Sequence, residues 1–250
     1  MERITSRTNP LCAHIRKLNT SKAARREAGE FPCEGPKLLA EALGHGMDVT
    51  TVVWAQGVQA QGPASARTVE VPADLFQSLS DTKTPQGVLF LCRTPDTALP
   101  DKLAGRRYLV LDGVQDPGNV GTIWRTADAF GADGLILLSG CADPWAPKTV
   151  RATMGACFRL PVWEADREGL KARLDEAGIP LYATALRDDT EDLRAADLSR
   201  CAVVIGSEGR GVGEETLALC GKTLKIPMEA RCESLNAAVA AAVVAWEMYR

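Results

Sequence analysis

Histidine is nearly absent: His14 and His45 are the only two in 250 residues. Neither sits in an H-E-x-x-H pattern or a Cys/His cluster, so a zinc site or a histidine-based triad has almost no raw material, and no metal is expected. The eight cysteines (Cys12, Cys33, Cys92, Cys141, Cys157, Cys201, Cys220 and Cys232) stand singly with no C-x-x-C. That spacing excludes a disulfide framework and predicts reduced thiols in a cytoplasmic protein. Long apolar runs are missing too. The longest, Ala237–Trp246, has about half the roughly 20 residues that cross a bilayer, and no charged-then-apolar signal peptide opens the sequence. Neither a membrane span nor secretion is expected. What is present is ordinary globular material, 46% hydrophobic and 24% charged, in a length that predicts one large domain or two unequal ones.

The net charge of −3 conceals an asymmetry. Residues 1–26 carry Arg3, Arg7, Arg16, Lys17, Lys22, Arg25 and Arg26 against Glu2 alone, so the remainder of the chain is strongly acidic. Such a segment suits a polyanion-binding arm, because each cation that neutralises a phosphate releases condensed counterions. A solvated basic helix, or an Arg- and Ser-containing transit peptide interrupted by Glu2 and Pro10, would also account for it.

Between Phe31 and Arg93 the pattern reads as a short extended piece, an amphipathic helix at Lys37–Leu43, and strands at Val49–Trp54 and Gly87–Cys92, enough for a small α/β unit. Between Arg93 and Arg107 the stretch from Thr94-Pro95-Asp96 to Pro100-Asp101 is Pro-rich and polar without a sustained period, and residues 96–106 read as a linker between domains at 1–95 and 107–250. Beyond it, strands at Tyr108–Leu111, Gly134–Leu138, Pro180–Thr184, Ala202–Gly206 and Thr223–Ile226 alternate with helices at Thr122–Phe130, Arg167–Ala177 and Glu214–Leu219. This alternation predicts a mostly parallel sheet. Residues 235–249, apolar nearly all round, predict a helix buried against the sheet or a partner subunit.

Ligands of open parallel sheets bind beyond the carboxyl ends of the strands, which singles out three loops. The first, residues 112–125 (D-G-V-Q-D-P-G-N-V-G-T-I-W-R), sets Asn119 where it would cap the next helix and Arg125 in that helix's opening turns. Arg125 would equally be a surface cation, and Asn, Pro and Gly are common turn residues. The second, residues 206–213 (G-S-E-G-R-G-V-G), places Glu208 among glycines but matches neither G-x-G-x-x-G nor G-x-x-x-x-G-K-[ST]. The third, residues 226–236 (I-P-M-E-A-R-C-E-S-L-N), runs into the last helix, with Ser234 either its N-cap or a site residue at or before its start.

With these loops in this order the chain resembles the SpoU/TrmH branch of the SPOUT methyltransferases. The family's N-x-G-x-x-x-R-x-A is met by Asn119, Gly121, Arg125 and Ala127; its G-x-E-x-x-G by Gly206, Glu208 and Gly211; its I-P-M and S-L-N by residues 226–228 and 234–236. Residues 150–156 (V-R-A-T-M-G-A) resemble its R-A-S-M-G-A, with Thr153 for the usual Ser. The amino-terminal part is similar to the small α/β RNA substrate-binding domain of such enzymes through residues 4–10, Glu34-Gly35 and Thr84–Gly87.

The resemblance implies a trefoil-knotted parallel α/β domain, a homodimer formed through the knot region, and transfer of methyl from S-adenosyl-L-methionine to a ribose 2′-hydroxyl of RNA, ribosomal RNA ahead of transfer RNA. It implies a cofactor pocket of Thr184, Gly206, Ile226, Met228 and Leu235, and reaction residues Asn119, Arg125, Glu208, Ser234 and Asn236. RNA would be held by Arg7, Arg16, Lys17, Arg25, Arg26 and Arg125. A guanidinium stays protonated, so Arg125 is better read as a bidentate clamp on the phosphate beside the target ribose than as a base. A non-catalytic RNA-binding protein of the same fold is the rival reading, against which the complete motif set counts.

Overall fold

The computed structural model describes residues 2–58, 62–187, 190–229, 231–232 and 234–250, so Ala230 and Glu233 of the third loop lie outside the described residues. The chain forms two units, one of the residues up to Pro95 together with Trp145–Phe158, the other of Asp96–Pro144 and Arg159–Arg250.

The first unit contains β1 (Glu2–Arg3), α1 (Pro10–Thr20), α2 (Lys22–Ala28), β2 (Glu30–Glu34), α3 (Pro36–Gly44), β3 (Val49–Ala55), β4 (Arg67–Val71), α4 (Ala73–Leu79) and β5 (Val88–Arg93). Its mixed sheet runs β1-β4-β3-β5-β2. The basic segment is helical because Asn9 caps the Leu11 N–H, Pro10 pre-sets the first turn, and Leu11, Ile15 and Leu18 form one buried stripe. That stripe packs with Val53, Val69, Phe76 and Leu91.

The second unit contains β6 (Arg107–Asp112), α5 (Pro117–Ala129) and β7 (Gly134–Leu137) before the chain contributes α6 (Pro147–Thr153) to the first. It continues with β8 (Val162–Glu164), α7 (Arg167–Ala177), β9 (Leu181–Thr184), β10 (Glu191–Asp192), β11 (Cys201–Gly206), α8 (Glu214–Leu217), β12 (Lys222–Lys225) and α9 (Ala237–Tyr249). The strands run β10-β12-β9-β11-β6-β7-β8, every pair parallel. Every residue of β11 is buried, as expected for a parallel strand covered on both faces. From β6 the chain winds first toward β8 and then returns to β9 and β11, so the switch point lies between β6 and β11. The buried alanines of α9 allow close packing on α5, and Arg107 donates to the Met248 carbonyl at the helix C-terminus (2.7 Å).

Three expectations need correction. Residues 96–106 are not a free linker: Leu103 is buried, the Glu164 N–H donates to the Thr97 carbonyl (2.8 Å), and Ala98 bridges to Glu164, because the exposed edge of β8 needs a partner. Trp145–Phe158 belong to the first unit, where Trp145 packs on Phe31 with ring centroids 4.5 Å apart and supplies apolar cover. The helix expected from Thr122 begins at Pro117, and its cap is Asp116, which accepts the Asn119 N–H (2.9 Å). Asn119 therefore lies in the first turn and its side chain is released from capping. Of the two readings of Ser234, the structure bears out the second: the cap of α9 is Asn236, and Ser234 lies ahead of the helix.

Candidate active site

The three loops meet at the carboxyl ends of β6, β11 and β12. After β11 the backbone turns sharply: Ser207 and Gly211 exchange both backbone hydrogen bonds at 3.0 Å, with Gly211 at φ 68°. The turn folds so closely over Gly206 that a Cβ there would stand 2.0 Å from the Gly211 carbonyl carbon. Glycine is thus obligatory at position 206 for want of space.

Side chains join the loops. Asn236 Nδ2 donates to Asn119 Oδ1 (3.2 Å), and Asn119 Nδ2 donates to Glu208 Oε1 (2.6 Å). Asn236 Oδ1 meanwhile accepts the Ala238 and Val239 N–H groups as helix cap. One hydrogen-bonded line therefore runs from the third loop through the first to the second.

Beside it opens a cavity of about 390 Å³, within the roughly 300–1,000 Å³ range of small-molecule sites. Thr184, Gly206, Ile226, Met228 and Leu235 all line it, and so do Glu208 and Ser234. The Thr184 hydroxyl donates to the Val204 carbonyl (2.9 Å), which fixes the end of β9. Arg125 is not part of this lining; it stands exposed in the third turn of α5 and makes no hydrogen bond or ion pair among the described residues. Leu186, 59% exposed, and Lys225 also line the cavity, and no sequence motif marks either. Asp112 ends β6 and Arg167 begins α7, and no motif marks either. Among the described residues no three His, Cys, Asp or Glu side chains gather as a metal site requires, and no helix is long and apolar enough to cross a membrane.

The basic arm divides. Lys17 is exposed with no side-chain partner among the described residues, and Arg26 is exposed. Arg7 pairs with Asp74 (2.9 Å), and Arg16 donates to the Arg7 carbonyl (2.8 Å) and Ser78 Oγ (3.2 Å), both at the surface. Arg25 departs from expectation: it is 6% exposed and donates to the Leu18 carbonyl, tying α2 to the end of α1. A buried guanidinium so engaged is a structural group, not an RNA contact.

Glycine crowding, the line of side chains joining the three loops and a cavity at a parallel-sheet switch point define a ligand-binding α/β domain, and sequence comparison names its class. The profile of the SpoU rRNA methylase family matches residues 106–246, and the chain belongs to that family. Residues 9–89 match an MRM3-like substrate-binding domain. The Bacillus subtilis 23S rRNA (guanosine(2553)-2′-O)-methyltransferase RlmP is 33% identical over 253 residues, 99% of each chain. An AdoMet-bound rRNA methyltransferase from Sinorhizobium meliloti superposes with TM-score 0.88 at 33% identity, covering 99% of this chain and 97% of that one. The SpoU methyltransferase AviRb from Streptomyces viridochromogenes, in complex with AdoMet, gives 0.85 at 29% identity, covering 96% and 97%. The structural neighbours place the second unit in the SPOUT methyltransferase fold.

Proposed function

We propose that this protein transfers a methyl group from S-adenosylmethionine to a ribose 2′-hydroxyl of ribosomal RNA. The observation that carries this reading is the line Asn236–Asn119–Glu208 along a cavity walled by Gly206, Met228 and Leu235. The cavity fits the cofactor: its volume is ample, Ile226, Met228 and Leu235 offer an apolar wall, and the absence of a Cβ at Gly206 brings backbone groups to its surface. Glu208 adds a carboxylate to a lining that would face a sulfonium.

Bound S-adenosylmethionine supplies a methyl group on a positively charged sulfur, a leaving group that needs no acid. The protein's share is then chiefly positioning. Asn119 and Asn236, each held by the other, and Ser234 at the cavity wall orient the hydroxyl. Glu208 fixes the second loop through Asn119. Arg125, unpaired on α5, grips the phosphate beside the target ribose. The second unit contains no histidine, and a guanidinium does not give up its proton at neutral pH, so neither serves as base.

Lys17, Arg26, Arg7 and Arg16 present the first unit's cationic face to RNA. Several readings accompany this one. Val239, Trp246 and Tyr249 of α9 are 50%, 52% and 57% exposed, with Phe130 beside Trp246 and Tyr249, which supports a homodimer through this face. Return of the chain from β12 across β11 and β6 into α9 supports the trefoil knot. Eight free thiols support a cytoplasmic setting.

The test is incorporation of labelled methyl from S-adenosylmethionine into ribosomal RNA and, separately, transfer RNA from cells lacking the protein, followed by nuclease digestion. Label in a 2′-O-methylated nucleotide of ribosomal RNA is the expected result. Label in transfer RNA alone would reassign the substrate, and label in neither, with cofactor bound, would favour a non-catalytic RNA-binding protein.

A further inference from the structure

Asp112 is a buried carboxylate, 5% exposed, that the reaction as proposed does not use. Burying a carboxylate is costly unless it is paired and hydrogen-bonded, so its placement calls for a reason. It ends β6, and across the strand pair it lies opposite Gly206, the first residue of the second loop. Its side chain reaches the other end of that loop: Oδ2 accepts the Gly213 N–H at 3.0 Å. A Cβ at Gly213 would stand 3.3 Å from the same oxygen, so the approach is close. The other carboxylate oxygen lies 3.7 Å from the Arg167 guanidinium, which donates through Nε to Thr216 Oγ1 (2.8 Å), itself 1% exposed, and pairs with Glu215 (3.1 Å). One residue thus holds both ends of the loop that contributes Gly206, Glu208 and Gly209 to the cavity.

We propose that Asp112, oriented by Arg167, is a positioning residue that clasps residues 206–213 in the shape required to bind S-adenosylmethionine. The proposal rests on the cofactor reading of that cavity. Without the clasp, the Ser207–Gly211 turn, the bond from the Arg210 N–H to Ser207 Oγ (3.2 Å), the Asn119–Glu208 bond and the buried Val212 still restrain the loop, but the Gly213 N–H loses its side-chain acceptor, and the glycines that let the backbone approach a ligand also leave it free to shift. Loss of a hydrogen bond to a buried charge corresponds to roughly ten- to a hundredfold in an equilibrium constant.

The test compares D112A, which removes the acceptor, with D112N, which retains an oxygen for Gly213 but loses the charge facing Arg167. Calorimetric binding of S-adenosylmethionine is expected to weaken at least about tenfold in D112A and less in D112N, with kcat at saturating cofactor and the RNA Kd each within about threefold of wild type. Amide exchange without cofactor should accelerate at residues 207–213 while β6 and β11 keep their protection. Cofactor affinity within twofold of wild type in D112A, or loss of protection across β6 and β11 together, overturns the proposal. If D112A does not fold, D112N and R167Q carry the same comparison. Should the wild-type chain bind no S-adenosylmethionine, the functional reading fails, and exchange at Gly213 still decides whether the clasp exists.

Discussion

Asn119 Nδ2 donates to Glu208 Oε1 at 2.6 Å across 89 positions of sequence, and Asn119 Oδ1 simultaneously accepts from Asn236. Cutting this line should lower methyl transfer more than stability. Glu208→Ala is expected to reduce kcat/KM about tenfold, while Glu208→Gln, retaining an acceptor oxygen, loses less. Asn236→Asp separates the two duties of that residue: it still caps Ala238 and Val239, so Tm holds, but it no longer donates to Asn119, so turnover falls. Asn236→Ala should also cost about 1 kcal/mol of stability. Steady-state kinetics beside thermal melts read both effects.

Gly206 has no space for a methyl group, with the Gly211 backbone 2.0 Å from the ideal Cβ position. Gly206→Ala must push the second loop outward. S-adenosylmethionine affinity is expected to fall at least about tenfold, measured by calorimetry, whereas Gly209→Ala, where a Cβ meets nothing within 4 Å, should be mild.

Arg125 stands exposed and unpaired among the described residues, so its replacement should leave folding intact. If it grips a phosphate with both arms of its guanidinium, Arg125→Lys will lower kcat/KM by roughly ten- to a hundredfold with Tm unchanged. Near-normal turnover of the lysine variant would exclude a need for the planar fork.

Arg25 and Lys17 share a basic segment but not a role. Arg25→Ala should destabilise the first unit by about 1–3 kcal/mol, because the Leu18 carbonyl loses a charged donor. Lys17→Ala should leave stability alone and reduce the slope of log RNA affinity against log salt by about 0.7–0.9. Equilibrium binding over a salt series, with urea melts, distinguishes them.

Burial pushes the thiol of Cys141 up to about 11 and those of Cys201 and Cys220 to about 12, from an unfolded value of 9.0. Above pH 9 the unfolded chain releases protons that the folded chain retains, so these thiols favour unfolding progressively as pH rises toward their folded values. Tm should therefore be lower at pH 10 than at pH 8, and Cys201→Ala should flatten that dependence. At pH 8 a thiol reagent should mark Cys232, the exposed cysteine of the third loop, first.

Much of the second unit was legible because parallel strands buried on both faces are written as short apolar runs: the expected strand at Ala202–Gly206 differs from β11 by one residue, and the helix at Arg167–Ala177 matches α7. Elements without such a run were missed, including β4, α4 and the short edge strands β8 and β10. Helix starts were displaced where two polar residues competed for the cap. Asp116 precedes Pro117 and takes that role from Asn119, and Asn236 takes it from Ser234. Residues 96–106 looked like a linker because one buried leucine, Leu103, and two residues pairing with the edge of β8, Thr97 and Ala98, leave no periodic trace.

The sequence by itself determined which chemistry was available: almost no histidine, three glycine- and amide-bearing loops after apolar strands, and a basic amino-terminal segment. Those are properties of composition and local spacing. Only the tertiary structure decided which polar groups act together and which cations remain free. Asn119 meets Glu208, Asn236 meets Asn119 across 117 positions, Asp112 meets Gly213 across 101, and Arg25 is buried while Lys17 is not. A hydrogen bond needs atoms within about 3 Å, and for residues so far apart in sequence that distance is set by strand order and helix packing, which no local pattern encodes.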